Sequence, residues 1–185
     1  MPIREGAVVR AKKIKCVILD VDGVLTDGGI YAAPDGSELF KPFFARDGLA
    51  VSLARKVGLT TAIITGRVSS IVANRAQELH IDLVYQGCLD KRASYADIRK
   101  KTGFTDEEIA YVGDDIVDLP IMRQVGLPCA VGDAVPEVKE IAQIIAAQPG
   151  GRGAVREIYE IILKTQGLWD RVLTAFQNDA GDAVQ

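Results

Sequence analysis

Short β-branched runs recur along this chain, separated by stretches of helical length, and that alternation leaves few folds open. Cys16-Val17-Ile18-Leu19, Thr61-Ala62-Ile63-Ile64, Leu83-Val84-Tyr85, Ile109-Ala110-Tyr111-Val112, Cys129-Ala130-Val131 and Ile144-Ile145 read as strands. The first is short, apolar and followed by a glycine-containing turn, as expected of a strand buried on both faces of a parallel sheet. Helices are predicted over about 47–56, 69–79, 89–101, 119–125 and 135–142, with one more helical turn at Thr105-Asp106-Glu107-Glu108. Asp47 is expected to cap the first of them, Gly58 to end it, and Gly103 to end the third. The pattern predicts an α/β fold: a doubly wound, Rossmann-like parallel sheet with helices on both faces.

Two segments stand outside the alternation. Gly29 to Ala33 and Glu38 to Phe40 flank Pro34-Asp35-Gly36-Ser37, the composition of a turn, so a β-hairpin is expected as an insertion over about 28–44. After the glycine-rich stretch 150–153, Val155, Ile158, Ile161 and Ile162 recur at helical spacing. Past Trp169 the residues turn small and polar. Residues 1–170 are therefore read as one domain and 171–185 as a frayed tail.

Composition removes several classes of function. At 185 residues, 48% hydrophobic and with a net charge of -3, the chain can bury one α/β core, and its scattered basic residues offer no footprint for a nucleic-acid backbone. No apolar run approaches the roughly 18 residues of a membrane span, and the N-terminus lacks the apolar centre of a secretory signal, so a soluble cytoplasmic protein is expected. Cys16, Cys88 and Cys129, odd in number and widely spaced, read as small buried hydrophobes rather than a disulfide or zinc set.

Chemistry collects at the carboxyl ends of the strands, where a doubly wound sheet binds ligands. Asp20 and Asp22 follow the first strand, Thr65 the second, Lys91 the third, and Asp114, Asp115 and Asp118 the fourth. Two like charges about 4 Å apart repel by roughly 4 kcal/mol at an effective dielectric near 20, so such a cluster asks for a cation. Oxygen-only ligands favour a hard ion with room for water and phosphate, which suits Mg²⁺ on Asp20, the backbone carbonyl of Asp22, and Asp114. Lys91 and Thr65 could hold phosphoryl oxygens, Asp20 could attack phosphorus, and Asp22 could protonate the leaving alcohol and then activate water. Asp115 and Asp118 read as supporting groups. A Thr-Gly at a strand end is often only a turn and a lysine ahead of a helix is usually solvated; position in the strand order is what raises Thr65 and Lys91. His80, between a helix and a strand and far from any acid, is read as solvent-facing or core-satisfied. Trp169 and Phe43-Phe44 are read as core or interface.

Together these segments resemble the haloacid dehalogenase superfamily, whose four motifs stand here in order as Asp20-Val21-Asp22-Gly23, Thr65, Lys91 and Gly113-Asp114-Asp115-Ile116-Val117-Asp118. The acid at Asp22 matches the superfamily's phosphatases. Across roughly residues 14–168 the chain is similar to the group of 3-deoxy-D-manno-octulosonate 8-phosphate phosphatases of lipopolysaccharide biosynthesis. Arg46-Asp47-Gly48, Ile63-Ile64-Thr65-Gly66-Arg67, Tyr85-Gln86-Gly87 and Gly150-Gly151-Arg152-Gly153-Ala154-Val155-Arg156-Glu157 add to the match. The resemblance implies a homotetramer without a large cap domain, in which the hairpin of one subunit helps close a neighbour's site. It also implies a phosphorylated sugar acid as substrate, whose carboxylate would be met by Arg46 and Arg67, with Arg152 and Arg156 as further candidates. One departure is Cys88-Leu89-Asp90, where the group commonly has Asn before the lysine. Rival readings are a phosphatase of a nine-carbon, 9-phosphorylated nonulosonate and a non-catalytic phosphatase-like module. A signalling receiver has the acids in another order and lacks an Asp two residues after the acceptor.

Overall fold

The computed structural model describes residues 4–178. At its centre is a sheet of six strands: β1 (Cys16–Leu19), β2 (Thr60–Ile64), β3 (Leu83–Tyr85), β4 (Ile109–Gly113), β5 (Leu127–Ala130) and β6 (Ile144–Ile145). They lie in the order β3-β2-β1-β4-β5-β6, each parallel to its neighbours. Every residue of β1, β4 and β5 is buried, as a continuous apolar run must be when both faces of its sheet are covered. The doubly wound fold expected from the alternation is the one observed.

Among the described residues eight α-helices flank the sheet: α1 (Ala7–Ala11), α2 (Ala45–Lys56), α3 (Ser70–Glu78), α4 (Arg92–Thr102), α5 (Leu119–Met122), α6 (Pro136–Ile141), α7 (Ala154–Thr165) and α8 (Trp169–Asn178). α7 packs against α2 and α1, and α4 against α5. The buried face of α7 carries Val155, Ile158, Tyr159 and Ile162 at the spacing of one helical stripe. Tyr159 brings a hydroxyl into this core, and Thr61 Oγ1 at 2.7 Å answers it. No helix among the described residues is long and apolar enough to cross a membrane.

Several elements differ from the sequence reading, each for a local reason. α4 starts at Arg92 rather than near Leu89, because Asp90 accepts from both the Arg92 amide at 3.0 Å and its guanidinium at 2.7 Å, holding the preceding residues in a turn. β5 starts at Leu127 and takes in Pro128, whose carbonyl accepts from the Gln143 amide at 2.8 Å. A 3₁₀ turn, Ile116–Asp118, precedes a short α5. Asp47 does not cap α2, which begins two residues earlier at Ala45 with Phe44 as its N-cap; its carboxylate serves α7 instead. Cys88 is only half-buried, unlike Cys16 and Cys129. Residues 169–178, where a frayed tail was expected from 171, form α8, with Val172 buried; Asp179 to Gln185 lie outside the described residues.

The inserted hairpin is present in rudimentary form. The Ala33 amide donates to Ser37 O at 2.8 Å and the Leu39 amide to Tyr31 O at 2.9 Å, around one antiparallel bridge between Ala32 and Glu38. Tyr31 and Phe40 stack with centroids 4.4 Å apart, yet both stay exposed, with Ile30 and Leu39 beside them.

Topology then decides where a ligand can sit. The chain leaves β1 toward β2 and β3 on one side and returns to β4 on the other, so the crevice at the carboxyl ends opens between β1 and β4. Ile18, fully buried in the central strand, tests how tightly that frame is packed. Ile18→Ala is expected to cost about 2–5 kcal/mol of unfolding free energy, read from urea denaturation midpoints.

Candidate active site

Asp20 is the first residue after β1, and its amide donates to Val112 O of β4 at 3.2 Å, which pins it at the switch between the two strands. The carboxylate is nearly buried. One oxygen accepts the Val21 amide at 2.7 Å, and the other lies 3.0 Å from Lys91 Nζ. Lys91, from the start of α4, is itself 3% exposed and reaches Asp118 at 2.7 Å and the Tyr111 hydroxyl at 3.0 Å. Burial opposes its charge, but Asp20 and Asp118 outweigh that and raise its pKa.

Asp118 is fully buried and completely engaged. One oxygen takes Lys91 and the Tyr111 hydroxyl, both at 2.7 Å; the other takes the amides of Asp114 at 2.9 Å and Asp115 at 3.4 Å. Asp20, Asp114 and Asp118 offer carboxylate oxygens within 4.8 Å of one another, a group able to hold a metal ion. With Asp118 saturated by donors, Asp20 and Asp114 have the freer oxygens, and Asp118 orients the loop that carries Asp114. The close backbone of the first loop fits the same picture: a Cβ on Gly23, which has φ +88°, would come within 2.0 Å of the Asp114 carboxylate. Only a glycine lets that loop pass so near an acid.

Crowding and burial show in the titration of these groups. Burial raises Asp20 to about 6, with Lys91 opposing the rise and Asp118 adding to it. Burial, reinforced by Asp118, Asp20 and Asp115, raises Asp114 to about 8. A divalent cation beside them would favour the ionised form of both carboxylates.

Thr65 is buried at the end of β2 and lines a cleft of about 200 Å³ together with Asp20, Asp22, Arg67, Lys91 and Asp114. Asp22 points toward a second set of cations. It forms an ion pair with Lys41 of the hairpin segment, and Arg67 Nε lies 4.0 Å away. Lys41 also pairs with Glu38 at 3.2 Å, and Glu38 accepts from the Ser69 hydroxyl. Asp115 is exposed at the cleft edge and accepts the Ile116 amide.

The structure thus brings together Asp20, Asp22, Thr65, Arg67, Lys91, Asp114, Asp115 and Asp118. It does not bring Arg46 to them: that side chain is exposed, with its guanidinium 6.0 Å from the Phe44 ring. Arg152 lies 3.5 Å from Asp27, and Arg156 pairs with Glu160 at 2.6 Å and lies over Trp169. His80 is exposed, in a left-handed conformation at φ 55°. Sequence reasoning missed Lys41, Glu38, Ser69 and Tyr111. Tyr111 had a signal, a lone hydroxyl inside an apolar strand; Lys41, a single lysine in the irregular stretch before α2, had none.

Comparison with known proteins agrees with this geometry. A family model for haloacid dehalogenase-like hydrolases matches residues 60–158. The 3-deoxy-D-manno-octulosonate 8-phosphate phosphatase of Escherichia coli K12 is 42% identical over 169 residues, 91% of this chain and 89% of that protein. Among solved structures, the Moraxella catarrhalis phosphatase of the same name, in complex with magnesium, phosphate and a KDO molecule, superposes with TM-score 0.89 at 38% identity, covering 94% of this chain and 100% of that one. The cobalt-bound Haemophilus influenzae protein gives TM-score 0.83 at 40% identity, covering 85% and 92%.

The raised carboxylates make a stability prediction. Above the ordinary value near 3.8 the folded chain keeps a proton on Asp20 up to about 6 and on Asp114 up to about 8, protons that the unfolded chain has released, so metal-free stability falls as pH rises through those windows. Thermal melts in a chelator should therefore drop from pH 5 to pH 8, and millimolar Mg²⁺ should flatten the drop, as should Asp114→Asn.

Proposed function

Because this chain belongs to the haloacid dehalogenase-like hydrolase family, we propose that it removes phosphate from 3-deoxy-D-manno-octulosonate 8-phosphate through an aspartyl-phosphate intermediate. The observation that carries the reading is Asp20 itself: a buried carboxylate at the switch between β1 and β4, held at 3.0 Å by Lys91 and flanked two residues on by Asp22. The 42% identity to the Escherichia coli phosphatase over nearly all of both chains supports the substrate.

Mg²⁺ would be held by Asp20, the Asp22 backbone carbonyl and Asp114; when bound it supplies positive charge against the phosphoryl oxygens. The rest falls to the chain's own groups. Val21 N–H and Lys91 fix the two oxygens of Asp20, so the carboxylate is oriented before substrate arrives. Its attack on phosphorus forms the Asp20–phosphorus bond as the ester oxygen leaves, and Asp22 delivers a proton to that oxygen. Asp22 then removes a proton from water, which attacks the same phosphorus and returns Asp20 as a carboxylate. Thr65 and Lys91 hold phosphoryl oxygens throughout. Asp118, bonded to Lys91, Tyr111 and the Asp114 amide, keeps the lysine and the Asp114 loop in register. Arg67, beside Asp22 at the cleft mouth, is the cation best disposed toward the substrate's carboxylate.

A homotetramer and a cytoplasmic location complete the reading. The exposed cluster of Ile30, Tyr31, Leu39 and Phe40 on the hairpin supports assembly, since so much apolar surface on a short projecting element calls for a partner. Arg46, outside its own cleft, would then be available to a neighbour.

Purified chain with Mg²⁺ should release phosphate from the eight-carbon ester, and Asp20→Asn should abolish release. Asp22→Asn should lower kcat by about 10²–10⁴. Equal release by Asp20→Asn would sink the enzyme reading, while preference for a nine-carbon, 9-phosphorylated nonulosonate would move the substrate. Light scattering should report four chains, and Phe40→Asp should reduce that number.

A further inference from the structure

Two segments of this chain, Arg46-Asp47-Gly48 and the run Gly150 to Glu157, take no part in the bond-making steps, yet the fold joins them directly. Asp47 sits in the first turn of α2, 1% exposed. Its two oxygens accept the amides of Gly153 at 3.2 Å and Arg156 at 2.7 Å. α7 has no side-chain cap of its own, because Gly153 is its N-cap. An acid from a neighbouring helix therefore satisfies the orphan donors of its first turn.

What that first turn holds is the catalytic loop. The residues just before α7 lie against the segment that follows Asp20. The Gly151 amide donates to Val24 O at 2.9 Å. A Cβ on Gly150 would fall 1.7 Å from Gly23 O, and one on Gly151, at φ +60°, would fall 2.4 Å from Thr26 C. Backbone thus rests on backbone, with no side chain between to absorb movement. Gly23 in turn abuts the Asp114 carboxylate. On the far side, Asp133 accepts the Gly150 amide at 2.9 Å and Glu157 accepts the Ala147 amide at 2.8 Å, so the strap is anchored at both ends.

We propose that Asp47 is a positioning residue for the phosphatase site: by tying the first turn of α7, it sets the height of the Gly150-Gly151 strap and thereby the placement of Asp22 and Gly23 relative to Asp20 and Asp114. It touches no substrate. A shift of the strap moves the loop bearing the proton-transfer acid, and small misplacements at a reacting centre are costly in rate. The inference rests on the phosphatase reading for its kinetic consequence, but not for its structural one.

The test compares Asp47→Asn, which keeps the volume and replaces one acceptor by a donor, with Leu163→Ala, which loosens α7 at a buried position far from its first turn. Gly151→Ala attacks the same link from the other end. Asp47→Asn and Gly151→Ala should each lower kcat about tenfold or more at saturating Mg²⁺ with KM changed less than about threefold, while Leu163→Ala lowers the melting temperature with kcat retained. Amide hydrogen exchange across residues 21–28 should quicken about tenfold in both test variants and stay at the wild-type rate in Leu163→Ala. A variant Asp47→Asn with wild-type kcat, or with unchanged exchange across 21–28, overturns the proposal. If the wild-type chain hydrolyses no sugar-acid phosphate, the phosphatase reading fails, and the exchange comparison still decides the role of Asp47.

Discussion

A lysine ammonium that is almost wholly buried persists only where its charge is answered, and Lys91 is answered by Asp20 at 3.0 Å and Asp118 at 2.7 Å. Each of those acids comes from a different strand end, and the lysine from a third. The three therefore lock the carboxyl edges of β1, β3 and β4 into one constellation. Tyr111 adds a hydroxyl from inside β4, so the remaining oxygen capacity of Asp118 is used rather than stranded. Taking the lysine away would leave two buried acids facing each other, which is why the site's geometry and its electrostatics cannot be separated.

Even so, the positive charge is not sufficient. Asp114 gains little from Lys91 and is pushed up to about 8 by burial and by its acidic neighbours. A cleft tuned this way is poor at holding all its carboxylates ionised without a further cation, and that same deficit is what lets a doubly charged ester and its metal enter as a matched pair. The fold supplies the concavity at no extra cost, because the crevice between β1 and β4 exists wherever a doubly wound sheet reverses its strand order.

The periphery is organised around the same loop. Lys41 reaches Asp22 from the hairpin side, and the Gly150-Gly151 strap supports the loop from the side of α7. Both supports come from segments distant in sequence, one inserted after β1 and one following the last strand. The loop that carries Asp20 and Asp22 is short and glycine-containing, so it borrows its rigidity from what presses on it.

Much of this was legible beforehand, for reasons that can be named. Apolar runs of two to four residues at helical intervals leave a parallel sheet as the economical way to bury them, and an acid, hydroxyl or lysine that follows a strand falls at the ligand edge by topology alone; hence Asp20, Thr65, Lys91 and Asp114 could be assembled from the strand order. What the sequence could not specify was any interaction whose partners are set by packing. Asp47 reads locally as the cap of its own helix, but the crossing of α2 and α7 turns its carboxylate onto Gly153 and Arg156. The strand expected from Cys129 starts instead at Leu127 and takes in Pro128, whose carbonyl accepts the Gln143 amide. Lys41 carries no signal in its own segment, and its burial against Asp22 exists only once the hairpin folds back over the cleft. The chain's chemistry was thus determined by residue type and strand-end position, which are local, while the supports that hold it were decided by tertiary contact, because a hydrogen bond or ion pair between distant segments has no existence until the core has fixed the distance between them.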